Sequence, residues 1–231
     1  MIYFGYDFTY FLFMIPCLIL SLYCSAKVNS TFNKYSKVAN RRRITGAQAA
    51  HEVLTANGVT GVRIEPVSGN LTDHFDPRTN IIRLSESVYN STSVAAVGVA
   101  AHEAGHAVQH AQDYLPNKIR SAVVPVANIG SKLSWILIFV GFLLPVQYNF
   151  VITLGIVFFS FSVLFTLVTL PVEFNASKRA LQTIQSANLL YNEEYDGAKK
   201  TLSAAAMTYV AAAATAIAQL LRLLLLVNRR K

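Results

Sequence analysis

His102, Glu103 and His106 stand within the stretch AAHEAGHAVQH, residues 100–110. On a helix, positions i and i+4 lie one turn apart on one face. Two imidazoles so placed can each point a ring nitrogen at one ion about 2.0–2.1 Å away. Glu103 follows the first histidine, so it flanks such an ion instead of binding it. From there its carboxylate can take the proton of a water that the ion activates. An HExxH helix thus supplies two zinc ligands and a general base. A catalytic zinc usually has three protein ligands and an open fourth position. One ligand is therefore missing from the motif.

His110 is the nearest further histidine, but it lies eight residues beyond His102, a rise of about 12 Å along a helix. One ion cannot easily reach both. The metzincin pattern needs a histidine where Gln112 stands, so that class fails. His110 reads instead as a group behind the ligands or the partner of a nearby acid. A better third ligand lies in PVEFNASKRA, where Glu173 follows a long apolar run. A carboxylate so close to hydrocarbon is costly unless it is paired or bound to a cation. Pairing with Lys178 or Arg179 is the bland reading; ligation is the favoured one. An oxyanion formed during hydrolysis needs a donor besides the metal. His74, Asn175, Tyr89 and Tyr209 are candidates. His51 reads as an ordinary helix-surface residue.

The elements that must position these groups follow from composition. The 231 residues are 53% hydrophobic and only 14% charged, where a soluble domain is nearer a quarter charged. That indicates a membrane protein with at most one modest water-facing domain. Phe8 to Cys24 is almost wholly apolar and, with its flanks, long enough to span a bilayer as a helix. Met1 to Tyr10 holds Asp7 and no Lys or Arg, whereas Lys27, Lys34, Lys37, Arg41, Arg42 and Arg43 follow the segment. An uncleaved signal anchor with the following residues inside is expected, rather than a cleaved signal peptide. The basic run abuts hydrocarbon, which favours a lipid surface over nucleic acid as its partner. Cys17 and Cys24 lie in the apolar segment without a CxxC spacing and read as small fillers. Any zinc must be held by histidine and carboxylate.

Residues 45–113 read as water-facing. TGAQAAHEVLTANG predicts a helix capped by Thr45 and ended by Gly58. GVRIEPVSGN predicts a strand and turn, DHFDPRTN a turn cluster, and IIRLS a second strand. NIIRLS either presents a free edge to an extended substrate or is a plain structural strand. The stretch from Ser85 to Asp113 predicts one or two helices, with the HExxH motif inside the second. GSKLSWILIFVGFLLPV and FVITLGIVFFSFSVLFTLVTL are two spans joined by QYN, which forces an antiparallel hairpin. Lys132 can snorkel at its start, and Lys178, Arg179, Lys199 and Lys200 place the return on the inside. The tail from Thr201 is a strong helix former that either packs on the inner domain, lies at the interface or makes a fourth span; the first two are favoured.

HEAGH, an antiparallel apolar hairpin and then EFNAS together resemble the YugP-like neutral zinc metallopeptidases of bacterial membranes. The likeness extends to LTDHFDP with IIRLS and to TYVAAA in the tail. More distantly the chain is similar to gluzincins of the HtpX and CAAX-protease type, whose HExxH and ExxxD patterns flank a membrane hairpin. The resemblance implies one catalytic Zn2+ held by His102, His106 and Glu173, with Glu103 as base. It departs at Ser177, where the wider group has an aspartate that orients a ligand histidine. Ser177 can do this only weakly, and Asn175 or an acid elsewhere would substitute.

The expected fold class is mainly α with a small β element. It is a HExxH zincin-like catalytic domain built onto a membrane anchor and a transmembrane helical hairpin. The expected organisation is an anchor at 1–26, an inner-face domain at 27–120, the hairpin at 121–171, and a third-ligand helix with Ala/Leu-rich helices at 172–231. The expected function is a multi-pass plasma-membrane zinc endopeptidase. Its catalytic domain is cytoplasmic and its substrates are membrane or membrane-proximal proteins or peptides. Its other partner is the lipid bilayer, with no nucleic acid. The alternatives are an inactive zinc-binding membrane scaffold of chaperone-like type, which has no need of Glu103, and a transporter, which would need polar residues mid-span. Substrate preference and oligomeric state are not encoded in any motif.

Overall fold

The computed structural model describes residues 8–230; residues 1–7 of the expected anchor and Lys231 of the tail lie outside the described residues. The elements in order are α1 (Phe8–Tyr35), α2 (Gly46–Ala56), β1 (Arg63–Val67), β2 (His74–Asp76), β3 (Ile81–Ser85), α3 (Glu86–Tyr89) and α4 (Val94–Ala111). Then come α5 (Leu115–Leu143), a 3-10 turn at Val146–Tyr148, α6 (Asn149–Ser186) and α7 (Glu193–Arg229). Helix dominates and the sheet is small, as the pattern of the sequence predicts. The chain divides into two compact units. One takes in the chain up to Tyr23, Ile119–Leu170 and the chain from Thr208 onward; the other takes in Cys24–Lys118 and Pro171–Met207.

The first unit is built from apolar helix. Among the described residues, α1, α5, α6 and α7 are long and apolar enough to cross a membrane. The expected hairpin is present as α5 and α6, and glycines bring its two arms close. A Cβ on Gly155 would lie 2.8 Å from a side-chain carbon of Ile138, and one on Gly141 would collide with Ile152. The Leu-rich half of α7 joins this hairpin: Leu223 and Val227 pack with Ile138, Ile152, Ile156, Phe159 and Val163. That corrects the reading of the tail as packed on the inner domain. Leucines there have more apolar surface to bury than the alanines that precede them. Arg230 donates to the carbonyls of Gly141 and Leu144, acceptors that the end of α5 leaves without helical donors. Arg222, the interruption in the tail, lies 4.9 Å from the centre of the Tyr10 ring.

The second unit holds the sheet and the water-facing helices. Thr45 caps α2 through a reciprocal box with Gln48, and Gly58 follows the helix at φ +67°. The stretch from Ser85 resolves into two helices because Ser93 caps α4, accepting from the Ala96 N–H. DHFDPRTN is not all turn. His74–Asp76 forms β2, paired antiparallel to β3, and the turn chemistry is confined to Asp76, which accepts from the Arg78 N–H and the Thr79 hydroxyl. β3 also pairs in parallel with β1, so the order is β1-β3-β2. The free-edge reading of NIIRLS is thereby corrected: β3 is the central strand and every residue but Arg83 is buried. Its run of Ile, Ile and Leu suits a strand covered on both sides. Asp73 accepts from the Ser85 N–H at 2.8 Å; burial pushes its pKa above the ordinary carboxylate value although the Ser85 bonds pull it down. The core gathers Val97, Ala100, Ala101, Ala104 and Val108 of α4 with Val53 and Leu54 of α2, Ile82 and Leu84 of β3, and Ala180 and Ile184 of α6.

Candidate metal centre

His102 and His106 project from α4, and Glu173 projects from α6. The helix pitch stacks the two rings with centroids 4.7 Å apart and planes nearly perpendicular. The Nε2 atoms of His102 and His106 approach Oε2 of Glu173 at 3.3 Å and 3.4 Å. One ligand atom from each residue can be chosen so that all lie within 4.8 Å of one another. Glu173 is only 2% exposed, so its carboxylate is shielded from water beside the two imidazoles.

The distances discriminate between an ion pair and a metal site. A charge-assisted bond from a nitrogen to a carboxylate runs about 2.7–2.9 Å. Two donors each about 2.0–2.1 Å from one tetrahedral ion lie about 3.3–3.4 Å apart. The observed separations match the second spacing. The donor set, two imidazole nitrogens and a carboxylate oxygen, is also that of His2Glu catalytic zinc sites. The residues present therefore fit a zinc ion.

Close backbone approach makes the site possible. A Cβ on Gly105 would stand 2.6 Å from the Ala176 carbonyl oxygen, so only glycine lets α4 and α6 come this near. The faces of the two rings away from Glu173 are held as well. Nδ1 of His102 lies 3.0 Å from the Ser177 hydroxyl, and Nδ1 of His106 lies 3.1 Å from Oε1 of Gln109. Gln109 is wholly buried. Its amide nitrogen donates to the Val172 carbonyl at 2.8 Å and to Oδ1 of Asn175 at 2.9 Å. Asn175 Oδ1 accepts in addition from Arg179 Nε at 2.7 Å. Arg179 also donates to Oε1 of Gln112, and its guanidinium carbon lies 5.7 Å from the Tyr114 ring centre.

Glu103 is nearly buried on α4 between the two histidines. His74 is exposed on β2 and donates from Nδ1 to the Thr72 carbonyl at 2.8 Å. His110 is exposed and packs its ring against Phe75, centroids 5.8 Å apart. Tyr89 packs against the core and His51 is exposed on α2. Tyr209 belongs to the first unit. Gln109, Gln112 and Arg179 were not anticipated as parts of the site. The signal for Gln109 was available: it is a polar residue on the Ala- and Val-rich side of α4, one turn past His106.

Residues 10–228 match the family described as "Putative neutral zinc metallopeptidase". A relative from Bacillus subtilis (strain 168), described as "Putative membrane protease YugP", is 47% identical over 217 residues, 94% of this chain and 96% of that protein. No solved structure matches the chain.

Proposed function

The chain belongs to the neutral zinc metallopeptidase family that it matches over nearly its whole length, and from that premise we propose that it is a membrane-anchored zinc endopeptidase. The observation that carries the proposal is the convergence of His102, His106 and Glu173 at separations suited to a tetrahedral ion. Glu173 stands 67 residues beyond His106 in the chain, so this convergence is a product of folding and not of local spacing.

His102, His106 and Glu173 would hold the ion. Zinc bound there supplies a Lewis acid that polarises a scissile carbonyl and makes water a competent nucleophile near neutral pH. Glu103, flanking the ligand pair on the same helix, takes the proton of the attacking water and returns it to the leaving amine. The near-burial of Glu103 and Glu173 limits competing solvent. Ser177 and Gln109 steady the rings from behind. The zincin-like catalytic part combines residues from 27–120 with the chain after 172, where Glu173 enters.

Substrates are membrane proteins or membrane-proximal tails, because Glu173 follows the apolar run of α6 within the same helix. The site is cytoplasmic. Lys27 to Arg43 and the basic residues from Lys178 to Lys200 flank the apolar segments on the side that carries HExxH, as the positive-inside bias requires. The host membrane is the plasma membrane.

Purified full-length protein in detergent tests the proposal. Wild type, Glu103→Gln and Glu173→Ala are compared for zinc content by mass spectrometry and for cleavage of a quenched-fluorescence peptide. Glu103→Gln is expected to keep zinc and lose about 10²–10⁴ in rate; Glu173→Ala is expected to lose most of its zinc. Full zinc in Glu173→Ala removes the ligand assignment. Cleavage by Glu103→Gln at the wild-type rate removes the mechanism. Stoichiometric zinc with no turnover of peptides or unfolded membrane proteins by wild type leaves a zinc-binding scaffold.

A further inference from the structure

The hydrogen bonds behind His106 have a direction. Arginine is a donor only, and its guanidinium keeps its protons in proteins. Arg179 Nε therefore donates to Asn175, which fixes the atom it meets at 2.7 Å as the amide oxygen. That oxygen also receives Gln109 at 2.9 Å, so the group Gln109 presents to it is the amide nitrogen. The Val172 carbonyl, an acceptor only, demands the same orientation independently at 2.8 Å. With both N–H groups of Gln109 committed, its oxygen is what faces His106 Nδ1 at 3.1 Å. An amide oxygen only accepts, so Nδ1 carries the proton. A neutral imidazole has one N–H. In that form Nε2 keeps the lone pair a metal needs, and it is Nε2 that points at Glu173.

We infer that Arg179, Asn175 and Gln109 form a polarised hydrogen-bond chain that holds the Nδ1–H of His106 and so turns Nε2 to the metal as its ligand atom. They are positioning residues, acting through His106. The inference rests on the metal site proposed above and deepens it. His102 differs. Its Nδ1 meets the Ser177 hydroxyl, which can donate or accept, so that contact leaves the tautomer open. One ligand is preset by its surroundings and the other adapts. Gln109 is shielded from water and spends both amide hydrogens inside the protein, so the chain has little freedom to reverse.

The proposal has a discriminating substitution. Asn175→Asp keeps the oxygen that accepts from Arg179 and Gln109 and discards the amide hydrogens. A chain of this polarity needs only that oxygen, whereas an oxyanion donor at Asn175 needs the hydrogens. The experiment uses full-length protein in detergent, titrated with zinc against a chelator, with folding checked by circular dichroism. Gln109→Leu and Asn175→Leu are expected to weaken zinc binding about 10–100-fold, and Asn175→Asp to stay within about threefold of wild type. The second readout is the 15N signals of histidine in metal-free wild type, His106 being assigned by its loss in His106→Asn. A proton on Nδ1 of His106 is expected. A folded Gln109→Leu that binds zinc as wild type does overturns the inference, as does an Asn175→Asp as weak as Asn175→Leu. Should Gln109→Leu fail to fold, the wild-type signals decide, and an unprotonated Nδ1 at His106 overturns it. A wild type that takes up no zinc at all removes the metal site itself, an outcome separate from these.

Discussion

The unit around α4 and the unit built on the hairpin invert one another. Around the motif, small residues are inside: Ala96, Ala100, Ala101 and Ala104 are fully buried. In the hairpin unit, large apolar residues are outside: Ile129 and Phe139 are each 66% exposed and Phe150 is 65% exposed. Water as the only solvent explains the first arrangement and makes the second very costly, since such a continuous apolar exterior suits hydrocarbon. The difference separates two sources of stability. The hairpin unit presents large apolar side chains on its outside. The other depends on close backbone approach and, in the proposed function, on an ion that joins α4 to α6.

Metal removal should break the comparison most sharply. A ligand at a thousand times its Kd stabilises the folded form by about 4 kcal/mol. Chelation should therefore speed hydrogen exchange in α4 and in residues 171–186, and leave the amides of α5 and of α6 up to Leu170 unchanged. Uniform acceleration along the chain would mean that the two units are not energetically distinct.

Exposed apolar residues give the next largest contrast. Phe139→Asp should disfavour membrane insertion by about 2.5–3.5 kcal/mol, read from the fraction inserted in microsomal membranes. Leu71, 43% exposed in the other unit, sits at φ +55°, a backbone region that Asp tolerates better than Leu. Leu71→Asp should change the thermal midpoint little or raise it, since such surface changes stay within about 0.5 kcal/mol. Equal penalties at the two sites would contradict two solvents.

Close helix contacts are expected to cost less but to separate stability from metal binding. Gly105→Ala forces a methyl against the Ala176 carbonyl and Gly155→Ala forces one against Ile138; each should cost about 1–3 kcal/mol. Only Gly105→Ala should also weaken zinc in a chelator competition. The smallest effect is Thr45→Ala, which removes the cap of α2 and should cost about 1 kcal/mol with zinc affinity unchanged.

Much of this was legible in residue order. Thr45 with Gln48 marked the start of α2, Gly58 its end, and the apolar runs marked the hairpin. β2 was hidden because Asp76, Pro77 and Asn80 announce a turn, while the pairing of His74 to Asp76 depends on β3. The place of β3 was equally hidden, since IIRLS reads the same at an edge or at the centre. The tail misled because alanine and leucine both favour helix, and only packing sent its leucines to the hairpin.

Sequence alone determined that His102, Glu103 and His106 share one helical turn, because 3.6 residues per turn is a property of the backbone. It determined which segments are apolar enough to leave water, because that depends on composition. The tertiary structure decided that Glu173 meets Nε2 of both histidines, that Asn175 receives Gln109, and that Ser177 stands behind His102. Those relations join residues distant in the chain. They exist only where α4 and α6 come close enough for Gly105 to touch Ala176, and no local periodicity encodes that distance.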